Sequence, residues 1–264
     1  MQTETDGIVL RQVKTAAGRT MLLIFSQRYG KISVGTSITD RNSKSKSSLA
    51  IRPFTYGRYE LYKGREIYNL NGAEVRKTFF SFGEDLDKYI YSSIALELTE
   101  KVLTEEMAEP RIFSLLLDFL NAMEKRSKAF DTLLIAYETK LLVLLGNMPR
   151  LDSCAVCGRQ YDNSEAWTNP PNFSIRNGGI ICTNCMENIK KKITEKPHKG
   201  TYNQLIYEPK FDIVKTLSYL AEKPLSAFEK IALNEPTATE LREILREYFS
   251  YHLEVGPLKS ESML

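Results

Sequence analysis

Around residue 84 the hydrophobic period of this 264-residue chain switches from 2 to 3.6, so strands come first and helices follow. Upstream, the runs GIVLRQV, TMLLIFSQ, GKISVGTSI, SLAIRPFTYGRYELY and EIYNLNGAEV are short and rich in Val, Ile, Phe and Tyr. Such side chains suit a half-buried pleated surface, and Gly18, Gly30, Gly57, Gly64 and Gly72 punctuate the runs. Five strands in about 75 residues, with no long helical pattern between them, predict a small closed or partly closed antiparallel barrel. The segment ITDRNSKSKSS is polar and basic, lacks an apolar period, and is expected to form an exposed loop.

Downstream, EDLDKYIYSSIALELTEKVL places Leu86, Ile90, Ile94, Leu98 and Val102 at helical spacing. PRIFSLLLDFLNAMEK begins on Pro110, whose fixed φ and missing N–H suit a first helical turn. A third helix is predicted over 128–146, apolar nearly all round and ending at Gly146 before Pro149. A helix of that kind belongs at the centre of a helical core. The helical period resumes in KFDIVKTLSYLAEK, LSAFEKIAL and TATELREILREYFSYHLE, which makes the segment between an insertion in one bundle. No run of about 18 uncharged apolar residues is present, and even TLLIAYETKLLVLLG is interrupted by Glu138 and Lys140. The opening MQTETDGIVL lacks the basic start and apolar core of a secretory signal, so a cytoplasmic location is expected.

All four cysteines fall in the insertion, as two C-x2-C pairs, Cys154/Cys157 and Cys182/Cys185, with 24 residues between them. In a cytoplasmic chain such spacing favours a metal over disulfides. Zn²⁺ takes four thiolates tetrahedrally at about 2.3 Å, and a site closed by four leaves no position for a catalytic water. The expected cofactor is therefore structural Zn²⁺; an iron–sulfur cluster, a redox dithiol and free thiols are the alternatives. Gly158 permits a tight knuckle turn that a Cβ would disfavour. The spacer between the pairs is polar and is expected to order only around the metal.

Charge is divided unevenly. Residues 1–80 carry 14 Lys and Arg against 6 Asp and Glu, a net of +8, while 81–264 carry 22 against 27, a net of −5. The strand-rich region is thus a candidate for polyanion binding, against the plainer reading of a small domain with a basic surface. No G-x-x-x-x-G-K-[ST] phosphate loop is present, and no G-x-G-x-x-G follows a strand. His198 and His252 have no nucleophile or carboxylate pattern beside them, and His252 reads as a packed or surface residue of a helix. The pairs Glu84/Asp85 and Glu105/Glu106 read as solvated helix ends. These absences point away from an enzyme. Lys190, Lys191, Lys192 and Lys196 in MENIKKKITEK leave open a zinc-module transcriptional regulator or RNA-binding protein, against a solvated helix end.

One ordered set of segments carries a resemblance: GIVL…LLIFSQRYGKIS, the basic KSKSS, RPFTYGRYEL, YSSIALELTEKVL, FDTLLIAYETKLLVLLGNMPRLDSCAVCG, the second C-x2-C and LREYFSYHLEVGPLKSESML. Across essentially the whole chain it resembles the bacterial RecO family of recombination mediators. The resemblance implies an α+β protein: an N-terminal OB-fold β-barrel followed by an all-helical domain with an inserted four-cysteine zinc module. In this sequence that gives a DNA-binding OB-fold at 1–80, helical parts at 81–150 and 193–254, a zinc insertion at 151–192 and a tail at 255–264. It further implies binding of single- and double-stranded DNA and annealing of complementary strands without ATP. RecR and the single-strand-binding protein are the implied partners, with RecA loading as the indirect result, in a nucleoid-associated cytoplasmic setting away from membranes. The implied DNA-binding residues are Lys31, Arg41, Lys44, Lys46 and Arg52, extended by Arg28, Arg58, Lys63 and Arg65. Lysines and arginines of this kind follow a phosphate backbone of any sequence and release its counterions. Tyr29, Phe54, Tyr56 and Tyr59 are either base-stacking faces or barrel core. Two departures stand out: the run after Gly30-Lys31 is GTSITDRNSKSKSS rather than a compact basic turn, and Lys140 is the single cation in LLIAYETKLLVLLG.

Overall fold

The computed structural model describes residues 2–16, 18–38, 46–65, 67–162, 164–195 and 205–263, with backbone alone at 46–47 and 192–195. It divides into two compact units, Met1–Arg126 with Leu258–Leu264, and Ser127–Pro257.

Five strands form the first unit's barrel: β1 (Gln2–Lys14), β2 (Thr20–Ser26), β3 (Gly30–Thr36), β4 (Thr55–Lys63) and β5 (Tyr68–Thr78). Four of the pairings are antiparallel; β3 and β5 run parallel, Val34 opposite Tyr68, and close the barrel in the order β1-β2-β3-β5-β4. This is an OB-like barrel. The period of 2 sorts its side chains: along β4, Thr55, Gly57, Tyr59 and Leu61 are buried while Arg58 and Glu60 face water. Val9, Leu22, Ile24, Ile32, Val34, Ile51, Tyr59, Leu61 and Tyr68 make one apolar core.

The first half of SLAIRPFTYGRYELY is not a strand, contrary to expectation. It holds a single helical turn, α1 (Lys46–Leu49), and a bend, and the strand begins only at Thr55. The physical reason lies at Pro53 and Phe54: proline cannot donate to a ladder, and Phe54 takes the left-handed conformation at φ +65°.

Helix α2 (Leu86–Val102) is capped by Asp85, whose carboxylate accepts from the Lys88 amide at 3.0 Å. Ile90, Ile94 and Leu98 are buried as the spacing predicts; Leu86 is 72% exposed, because it stands at the helix entrance before the buried face begins. Helix α3 (Pro110–Lys125) starts on its proline and buries Ile112, Phe113, Leu116, Phe119 and Leu120. The C-terminal tail is held on α2 by Glu97, which accepts from the amides of Lys259 and Ser260 at 2.9 Å each and from the Ser260 hydroxyl at 2.7 Å.

In the second unit, α4 (Phe130–Leu144) is buried almost all round, as a central helix should be, and the chain leaves it through Gly146 at φ +71°. The cysteine-bearing segment follows, with β6 (Asn172–Ser174), β7 (Gly179–Ile181) and α5 (Thr183–Glu195). Strand β8 (Ile206–Tyr207) completes a three-stranded sheet of order β7-β6-β8. Helices α6 (Ile213–Glu222) and α7 (Glu235–Leu253) pack on α4. LSAFEKIAL, expected to be helical, yields only a 3₁₀ turn at Leu225–Phe228: Pro224 enters it, and its apolar side chains are satisfied by burying Leu225 and Phe228. Among the described residues no helix is long and apolar enough to cross a membrane.

Candidate metal centre and nucleic-acid interface

The first C-x2-C pair sits on a tight knuckle. The Cys154 amide donates to the Arg159 carbonyl at 2.7 Å, the Gly158 amide returns to the Cys154 carbonyl at 2.8 Å, and Gly158 has φ +77°. The second pair straddles the entrance of α5: Cys182 follows β7, and Cys185 lies in the helix's first turn. A thiolate there meets the positive end of the helix dipole. All four sulfurs lie within 4.8 Å of one another, and Cys157 Sγ is 3.8 Å from Cys182 Sγ. Four thiolates bonded to one ion at about 2.3 Å stand about 3.8 Å apart, so the cluster fits a tetrahedral metal ion. Cys154, Cys182 and Cys185 are buried and Cys157 is exposed. Burial raises the Cys154 thiol, but the amides of Cys182, Cys157 and Val156 outweigh it and bring its pKa down to about 7. Burial pushes Cys185 up, and the neighbouring sulfurs add to that. A cation at the centre removes this mutual repulsion.

The spacer between the knuckles is polar in composition but carries an apolar anchor within it. Trp167, Phe173, Ile175, Ile180 and Ile181 are all buried, and Phe173 packs against Tyr248 of α7 with ring centres 6.1 Å apart. His252 is a packed residue: its Nε2 lies 2.6 Å from the Ile175 carbonyl oxygen and its ring 4.3 Å from that of Tyr248. His198 and Lys196 lie outside the described residues. On α5, Lys190 pairs with Glu208 at 2.9 Å, Lys191 is exposed, and the side chain of Lys192 is not among those described.

Of the barrel cations singled out from the sequence, Arg41 and Lys44 lie outside the described residues, and Lys46 is described in its backbone only. Arg28, in the β2–β3 turn, lies over the Tyr29 ring at 5.3 Å; Tyr29 meets Tyr68 at 5.9 Å, and Lys63 lies over Tyr68 at 5.0 Å. Two cations and two aromatic rings therefore form one row at this end of the barrel, with Arg65 exposed in the adjoining β4–β5 turn. Lys31 donates to the Glu100 carbonyl at 2.9 Å. Arg58 pairs with Glu4, and Lys63 with Glu106 at 2.8 Å, contacts that raise the pKa of both cations. Arg52 lies apart from the row, over Phe80 at 5.5 Å. Exposed ion pairs of this kind add little to stability and are screened by salt. Tyr59 is barrel core, fully buried with its hydroxyl on the Ala50 carbonyl, and Phe54 is buried as well, whereas Tyr29 and Tyr56 remain half-buried.

Lys14 and Arg19, flanking the β1–β2 turn, are exposed and have no acidic side chain beside them among the described residues. The sequence reading passed over them. Their signal was there, since two cations border a turn marked by Gly18 with no acidic residue between them.

A closed OB-like barrel and a helical unit that carries a four-thiol centre define an α+β class of two-unit proteins. The family model Recombination protein O N terminal matches residues 1–79, and Recombination protein O C terminal matches residues 83–262. The chain belongs to the RecO family. It is 32% identical over 256 residues to the DNA repair protein RecO of Alkaliphilus metalliredigens (strain QYMF), covering 96% of this chain and 95% of the relative. It is 30% identical to that of Pelotomaculum thermopropionicum (strain DSM 13744 / JCM 10971 / SI), over 99% of this chain and 93% of the relative. To that of Caldanaerobacter subterraneus subsp. tengcongensis the identity is 29%, over 96% and 93%.

Proposed function

We propose that this chain is a DNA-repair and recombination mediator that binds single- and double-stranded DNA through its basic barrel and anneals complementary strands without ATP. In this reading it acts with RecR on strands coated by the single-strand-binding protein, so that RecA is loaded. It makes and breaks no covalent bonds of its own, holds one structural Zn²⁺ on Cys154, Cys157, Cys182 and Cys185, and works in the cytoplasm at the nucleoid. The residues involved are Arg28, Lys31, Lys63 and Arg65 at one end of the barrel and Lys14 and Arg19 at the other, with Arg52 and Arg58 as further candidates; Arg41, Lys44 and Lys46 belong to the same proposal and lie outside the residues whose side chains are described. The observation that carries the reading is that both halves of one recombination-protein family match in order over 1–79 and 83–262. Neutralisation of several phosphates by lysines and arginines accounts for binding without sequence preference.

The test is annealing of two complementary oligonucleotides, each coated with single-strand-binding protein, in the absence of ATP. The protein should raise the rate of duplex formation; an unchanged rate contradicts the proposal. The regulator reading requires preference for one sequence, at about 1–3 kcal/mol per mismatched pair, whereas equal affinity for unrelated sequences is expected here.

A further inference from the structure

We propose that the cleft where β5 runs on to α2 takes a single unstacked base of a nucleic-acid strand; this rests on the DNA-binding reading above and locates one contact within it. The sequence Phe79-Phe80-Ser81-Phe82 leaves β5 in a 3₁₀ turn, Phe80–Glu84. Phe79 and Phe82 are fully buried and lie 5.5 Å apart, forming the floor. Phe54 stands edge-on to Phe82 and to Tyr89, at 5.7 Å from each. Tyr89 is 40% exposed and Phe80 is half-buried, so aromatic faces remain open to water. Gln12 and Arg52 complete the lining of a cleft of about 530 Å³. That volume falls within the range of small-ligand sites.

Three observations select a base as the occupant. The first is the strain at Phe54: a phenylalanine at φ +65° is held in an unfavourable left-handed conformation, and such residues cluster where a ligand is clamped. The conformation sets its ring as a wall of the cleft. The second is chemical. Arg52 lies over Phe80 at 5.5 Å, so a planar cation and an amide, Gln12, border an aromatic box. A base offers a π-face to rings of this kind, whereas an aliphatic side chain offers none. The third is charge: the charged side chain of the lining is a cation, Arg52, which suits the phosphate that a base brings with it.

The experiment measures the affinity of the full-length protein for a single-stranded oligonucleotide, its duplex, and the same strand carrying abasic sites. Phe80→Ala should weaken single-strand binding roughly ten-fold and leave duplex binding within about two-fold, since stacked bases in a duplex cannot enter. Phe80→Trp should retain the wild-type affinity, and the abasic strand should bind wild type and Phe80→Ala alike. Tyr89→Ala repeats the test on a side chain whose removal leaves the core closed. An equal loss for single strand and duplex, or no loss in either variant, overturns the base cleft while leaving DNA binding in place. No DNA binding by the wild type removes the functional reading as well.

Discussion

At Gly30 the backbone has φ +70°, and a Cβ there would lie 1.9 Å from the carbonyl oxygen of Met107. The adjoining Glu106 amide donates to the Lys31 carbonyl at 3.0 Å, so this position joins the start of β3 to the segment after α2. Gly30→Ala combines backbone strain with a collision against backbone and should cost about 2–4 kcal/mol of stability. The midpoint of urea unfolding reads it, and an unshifted midpoint contradicts this account. Glu97 works in the opposite direction, by attraction. Burial raises its pKa, but the Ser260 hydroxyl and the amides of Ser260 and Lys259 outweigh burial and hold it below the ordinary carboxylate value. A lowered folded-state pKa means that the stabilisation is present above about pH 4.3 and is lost as pH falls through the lowered value. Amide exchange at residues 259–262 should therefore accelerate in acid, and Glu97→Gln should accelerate it at neutral pH and flatten the profile. Single residues differ in how well the sequence announces them. The sequence leaves Tyr59 open between a stacking face and barrel core, and the burial alternation of β4 places it inward; the left-handed Phe54 has no sequence signal, because only tertiary packing overrides the steric preference of a residue bearing a Cβ.

Elements show the same division. Helices α2, α3, α4, α6 and α7 stand where the 3.6 period places them, since each buries one stripe or its whole surface in a core. LSAFEKIAL and SLAIRPF carry apolar residues in plausible periods yet form no long element: Pro53 removes a backbone donor from the second, and the first stops after one 3₁₀ turn that buries Leu225 and Phe228. The convergence of the four cysteines was legible from spacing alone; the segment's apolar anchoring was not, because Phe173 and Ile175 are interpreted only once α7 lies beside them. That anchoring changes what metal loss should do. Cys154→Ser with Cys182→Ser should abolish stoichiometric metal by elemental analysis and loosen both knuckles. The Ile175 amide, bonded to the Leu205 carbonyl at 2.9 Å, should stay protected in hydrogen exchange. Retention of metal contradicts the four-thiolate site, and uniform loss of protection over 150–190 contradicts the anchoring.

Over the whole chain, the excess of positive charge in residues 1–80 is plain in the sequence, but its availability is not. Arg11 meets Glu100 at 2.9 Å and Lys77 meets Glu124 at 2.7 Å, partners that only folding brings together. Arg58, Lys63 and Arg76 are likewise paired, whereas Lys14, Arg19 and Arg28 have no acidic side chain beside them among the described residues. The function proposed above assigns nucleic-acid binding to the barrel and a structural role to the cysteine centre. The most direct measurement is DNA affinity as a function of salt, on several unrelated sequences, for the wild type and for Lys14→Glu/Arg19→Glu/Arg28→Glu. The wild type should weaken linearly in log–log form with a slope of about −0.9 per phosphate neutralised, equally on every sequence. The variant should bind all sequences more weakly with a slope shallower by up to about 2.7. A wild-type affinity indifferent to salt, or a variant whose slope is unchanged, would contradict a basic barrel as the nucleic-acid surface.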